Sequence, residues 1–157
     1  MRQVRRKRST QGFSLIELLI VIAIILVIIG IALPKFNVAQ MSSRELAVRQ
    51  EIRTINTAQV QYESQFGKFA SSLAELGPPT SGAPGPNAAD LIPAALAAGD
   101  KDQYTFTLTA TPGGYTINAN PKVYNSSGRY TFYSDQTMSV RANFGAEPAS
   151  ASSAEMK

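Results

Sequence analysis

The chain has no cysteine, no histidine and no tryptophan in 157 residues. Without cysteine there is no disulfide, no thiolate metal site and no thiol nucleophile. Without histidine, serine–histidine triads and most transition-metal sites are excluded. No catalytic residue, cofactor or metal is therefore expected. Acid is also missing from the start, since none precedes Glu17. Five of the 15 basic residues, Arg2, Arg5, Arg6, Lys7 and Arg8, fall in the first eight positions. The remainder carries ten basic and eleven acidic residues, a net of −1, so the overall charge of +4 belongs to a short basic tag. The remainder offers nucleic acid no electrostatic footprint, and no nucleic-acid binding is expected of it.

Beyond the tag the chain turns apolar. Residues 13–33 hold a single charge, Glu17, and the stretch from Leu18 onward is hydrophobic on every helical face. Twenty-one helical residues rise about 32 Å, which matches the hydrocarbon core of a bilayer. A chain of this size cannot enclose such a helix on all sides, so the segment is read as membrane-spanning. The basic tag then lies on the cytoplasmic side. A secretory signal has a shorter apolar core, about 7–15 residues, and a small-residue cleavage site. This run ends instead in Pro34-Lys35-Phe36, and the segment is expected to be retained.

Two residues in this region stand out. Glu17 sits four residues into the apolar stretch, where an ionised carboxylate is costly. It is either a functional residue or a side chain that snorkels to the interface beside the basic tag. Gly12 separates the tag from Phe13 and lets a protease approach the backbone closely. The string Gln11-Gly12-Phe13-Ser14-Leu15-Ile16-Glu17-Leu18 resembles the prepilin peptidase site of bacterial type IV pilins and type II secretion pseudopilins. The strong match covers residues 5–36 and weakens beyond them.

The resemblance implies cleavage by prepilin peptidase between Gly12 and Phe13, N-methylation of Phe13, and retention of the apolar helix. Glu17 becomes the fifth residue of the processed chain, where the family carries its glutamate. Cleavage frees the α-amino group of Phe13, which the Glu17 carboxylate of a neighbouring subunit could neutralise in lipid. Breaking one partner of such a pair costs roughly 3–5 kcal/mol. The implied function is that of a structural subunit of a type IV pilus, serving adhesion, motility or DNA uptake. Its implied partners are identical or related subunits in a helical homopolymer, an inner-membrane assembly platform, and the lipid bilayer before assembly. The implied location is the inner membrane, single-pass with the N-terminus cytoplasmic, and then a surface filament. Two other readings stand beside it: a pseudopilin of a periplasmic type II secretion filament, and a membrane-anchored binding protein that never polymerises.

Pro34 cannot donate to the Gly30 carbonyl, and Gly30 weakens a helix by roughly 1 kcal/mol relative to alanine. Gly30 and Pro34 mark either a kink or melting segment, or simply the membrane exit. Beyond them Val48, Ile52, Ile55, Gln59, Tyr62 and Phe66 repeat in steps of four and three, an apolar stripe interrupted by Gln59. A helix from about residue 14 to 66 would be on the order of 80 Å long if straight. Gly67 is its expected C-cap. Ala70 stands where the family usually has proline. Residues 77–89 are rich in proline and glycine and read as a loop, and Asp90 is placed to cap a short helix ending at Gly99. Alternation then predicts four antiparallel strands near residues 104–110, 115–119, 129–134 and 137–141.

The expected organisation is a basic leader (1–12, removed), a transmembrane and assembly helix (13–34) and an amphipathic helix half (35–67). A loop region with a short helix (68–103), an antiparallel sheet (104–145) and a disordered tail (146–157) come after it. The fold class is α+β, a long N-terminal helix packed on a small antiparallel sheet, as in pilins.

Overall fold

The computed structural model of the chain describes residues 12–156, and the basic cluster at residues 2–8 lies outside them. The described chain divides into two compact units between Asn37 and Val38. Helix α1, Leu15–Phe66, contributes to both. The first unit is apolar helix, and every side chain from Phe13 to Gln40 is exposed.

The second unit has the helix-on-sheet arrangement that the alternating sequence predicts. Its core is a single cluster. Val48, Ile52, Ile55, Ala58 and Tyr62 of α1 meet Tyr104, Phe106, Leu108, Tyr115, Ile117, Ala119, Phe132 and Ala142 of the sheet. The sheet is a six-stranded antiparallel meander: β1 Asp100–Lys101, β2 Tyr104–Thr111, β3 Gly114–Pro121, β4 Tyr130–Asp135, β5 Arg141–Phe144 and β6 Ala154–Glu155. Pro112 and Gly113 form the turn that pairs Thr111 with Gly114. Helix α1 ends where Gly67 takes φ of 72° and its N–H bonds the Glu63 carbonyl at 2.8 Å. That left-handed backbone costs glycine least.

Gln59 interrupts the apolar stripe yet is fully buried. Its amide satisfies both main-chain groups of Ala70: Nε2 donates to the Ala70 carbonyl at 3.0 Å, and the Ala70 N–H donates to Oε1 at 2.8 Å. A buried amide is tolerated when both its ends are paired. Ala70 must supply an N–H here, and proline has none. Nearby, Asn56 donates to the Ser134 hydroxyl at 2.9 Å and accepts from the Tyr115 hydroxyl at 3.0 Å. Burial, with Asp135 and Glu63 adding to it, pushes the Tyr115 phenol up to about 12.

Four expectations need correction. The sheet has six strands, and β1 lies before residue 104. Residues 137–140 are not a strand: the Asp135 carboxylate accepts from the Thr137 N–H and hydroxyl, and Met138 takes φ of 60°. This side-chain turn delays β5 until Arg141. Asp90 caps no helix, since its own φ is 56° and the short helix α3, Ala94–Ala97, starts after Pro93.

The tail is the fourth. It is not free: β6 pairs with β5, and residues 147–153 run across the sheet face opposite α1. Thr131 donates to the Glu147 carbonyl at 2.7 Å, Asn143 to the same carbonyl at 3.0 Å, Asn118 to Ala149 at 3.0 Å and Arg141 to Ser153 at 3.1 Å. These donors alternate along β3, β4 and β5 with the core-facing residues, so they share the opposite face. Ala149 and Thr131 are buried beneath and within this strap.

Candidate processing and assembly site

Gly12, Phe13 and Ser14 precede the helix as extended, exposed chain, and Phe13 is 86% exposed. A Cβ on Gly12 would meet nothing within 4 Å. Among the described residues nothing crowds the junction, and a constraint on residue 12 would come from whatever binds it.

Ser14 is the N-cap of α1. Its carbonyl accepts the first helical hydrogen bond, from the Leu18 N–H at 3.2 Å. Its own N–H donates to Glu17 Oε2 at 3.0 Å. A glutamate side chain that returns to the N–H of a serine three residues earlier is one half of a capping box. A carboxylate in the first turn also faces the positive end of the helix dipole. The isolated subunit therefore already gives Glu17 a partner inside its own chain. The pattern Ser14-x-x-Glu17 ahead of an apolar run carried this signal in the sequence.

The apolar surface beyond Glu17 is continuous. Leu18, Leu19, Ile20, Val21, Ile22, Ile24, Ile25 and Leu26 are each about half exposed or more, as are most large residues on to Phe36. Among the described residues none buries them. Lipid or other copies of the same helix are the two surroundings that such a surface tolerates. Gly30 and Pro34 lie within the assigned helix, and a Cβ on Gly30 would meet nothing within 4 Å. Ile29, Ala32, Leu33, Lys35 and Phe36 frame a shallow apolar groove beside Pro34. Glu17, Gly30 and Pro34 sit on one helix, more than a turn apart from one another except for Gly30 and Pro34.

Residues 7–33 match the model of the prokaryotic N-terminal methylation motif. The chain is also 34% identical over 77 residues to the type IV major pilin protein PilA of Myxococcus xanthus. Both findings support the type IV pilin family. The second alignment covers 49% of this chain and 35% of that pilin's length, so the chain spans about a third of its relative. No solved structure matches the chain. In pilin terms the methylation motif spans the Gly12–Phe13 junction, the Glu17 cap and the whole exposed apolar run.

Proposed function

We propose that the chain is a structural subunit of a type IV pilus. Prepilin peptidase removes residues 1–12, and the new terminus at Phe13 is N-methylated. The processed subunit waits in the inner membrane, N-terminus cytoplasmic, and an inner-membrane platform adds it to a helical filament of identical or related copies. The observation that carries this reading is the exposed apolar helix capped by Ser14 and Glu17 directly after an open Gly-Phe junction.

Within the filament, Glu17 neutralises the Phe13 amine of a neighbour and sets the register of docking. Residues 30–34 are the segment where the helix lengthens or bends, because Pro34 leaves the Gly30 carbonyl without its helical donor. Filaments sheared from cells and digested for mass spectrometry test the reading. A methylated peptide starting at Phe13, recovered from filaments seen by electron microscopy, is the expected result. An intact Met1 terminus in wild-type cells, or processed protein without filaments outside the cell, would overturn it. The second of these outcomes would favour the pseudopilin or the non-polymerising reading. Gly12→Val should block cleavage, since a branched side chain changes the backbone that the protease must grip.

A further inference from the structure

Between β3 and β4 the chain makes a short loop, residues 122–129, that is fastened to α1. The Arg129 guanidinium bonds the Glu45 carboxylate at 3.1 Å and the Ser42 hydroxyl at 2.9 Å, and the Arg129 N–H bonds Glu45 at 2.7 Å. Arg44 donates to the Ser126 carbonyl at 3.2 Å. The loop is also rigid within itself: the N–H groups of Ser126 and Ser127 both bond the Val123 carbonyl, and Asn125 bonds Gly128. A Cβ on Gly128 would lie 1.8 Å from the Tyr104 hydroxyl, so the loop closes onto the sheet with no room to spare. Yet its tip is apolar and open, with Val123 58% and Tyr124 41% exposed.

Two of the acids beside this loop are already paired. Glu45 is taken by Arg129 and Asp100 by Lys122. Arg44 bonds only neutral oxygens, those of Ser126 and Gln40, and among the described residues it has no carboxylate partner. The loop is also held at Ser42, nine residues after Leu33, the last residue of the apolar run. Even fully extended, nine residues span no more than about 30 Å. The chain itself therefore keeps the attachment point within about 30 Å of the last residue of the apolar run.

We infer that Val123 and Tyr124 form a lipid-facing foot, which rests on an anionic bilayer surface while the subunit is anchored and not yet assembled. Tyrosine is favoured at the headgroup level, and a nearby arginine without a carboxylate partner is attracted to an anionic surface. Assembly would lift this foot from the membrane. The inference rests on the reading of the apolar helix as membrane-spanning.

The lack of native tryptophan makes a direct test available. The full chain carrying Tyr124→Trp as its sole tryptophan is reconstituted in vesicles of phosphatidylglycerol and phosphatidylcholine, or of phosphatidylcholine alone. Gln65→Trp, at the far end of α1, is the control. Flotation with the vesicles reports insertion. The expected result is a blue-shifted Tyr124→Trp emission, quenched by a headgroup-labelled nitroxide lipid, with Gln65→Trp unaffected. The shift should weaken in phosphatidylcholine alone and on adding Arg44→Gln. Flotation with water-like, unquenched emission would overturn this inference alone. A blue shift that appears only at high protein density would also overturn it, by assigning the foot to a second copy. Failure to float would overturn the membrane-spanning reading, and this inference with it.

Discussion

The Glu17 carboxylate accepts a hydrogen bond from the Ser14 main-chain N–H at 3.0 Å, so the acid at the head of the apolar helix has a partner within its own chain. Its capping role and its proposed pairing with a neighbour's Phe13 amine require different chemistry. Capping needs only an acceptor oxygen, which glutamine supplies as well as glutamate. Neutralising an ammonium needs a negative charge.

Glu17→Gln should therefore keep the helix start and membrane insertion but suppress filaments. Glu17→Ala should suppress filaments and also fray the first turn, at a cost of roughly 1 kcal/mol. Filament counts by electron microscopy, at matched levels of processed membrane protein, give the first readout. Amide exchange at Leu15–Leu18 in detergent micelles gives the second. Normal filament numbers in both variants would leave Glu17 as a snorkelling interface residue.

Ala70→Pro is expected to destabilise the second unit by about 1–3 kcal/mol, because it leaves the buried Gln59 Oε1 without a donor. Ala70→Gly keeps the N–H and should cost less. Urea melts of the full chain in detergent, followed by far-ultraviolet circular dichroism, would show the order. Equal midpoints for the proline and wild-type chains would refute the bidentate amide as a stabilising element.

Acid should weaken the second unit through two carboxylates. Burial raises the Glu75 pKa, but bonds from the Ser71 N–H and hydroxyl and from the Tyr62 hydroxyl outweigh it, and the net shift is downward. Asp135 follows the same pattern: burial opposes ionisation, while Thr137 and Tyr133 bonds hold the pKa below its ordinary value. A lowered folded-state pKa contributes stability that is whole above the unfolded-chain value, about 4 for these acids, and is lost as pH falls through the folded value. Melting temperature should decline below about pH 4. Glu75→Gln combined with Asp135→Asn should flatten that decline, and an unchanged pH profile in the double variant would contradict the assignment.

Removing residues 146–157 should destabilise the sheet, because it uncovers Thr131 and leaves the side chains of Asn118, Arg141 and Asn143 without their main-chain acceptors. Hydrogen exchange should accelerate in β4 and β5 before it does in α1. A truncated chain with wild-type protection in those strands would restore the expectation of a free tail.

Elements governed by side-chain period were legible in the sequence. The α1 stripe from Val48 to Tyr62 and the Tyr104–Thr111 alternation each repeat a spacing that only one face of one element satisfies. The Pro112-Gly113 turn was legible for its backbone chemistry. The tail was not, because Ala and Ser carry no hydrophobic pattern and the strap is recognised through its carbonyls. The start of β5 was misplaced because an Asp135 side-chain turn consumes residues that alternate like a strand. At the candidate site, the Gly12–Phe13 junction and Glu17 were visible as a motif. The Ser14–Glu17 bond was legible only in the Ser14-x-x-Glu17 spacing, a signal that a lone charge among apolar residues overshadows.

The strap has a further consequence for how this surface can diverge. Donors on β3, β4 and β5 hold the segment by its peptide carbonyls, and its buried side chain at Ala149 is no more than a methyl. Exposed positions of residues 146–149 can therefore change without loosening the sheet beneath, while Ser150, Ser152 and Ser153 bond one another within the strap. The exposed surface of the strap is free to drift, while the strands that hold it stay fixed.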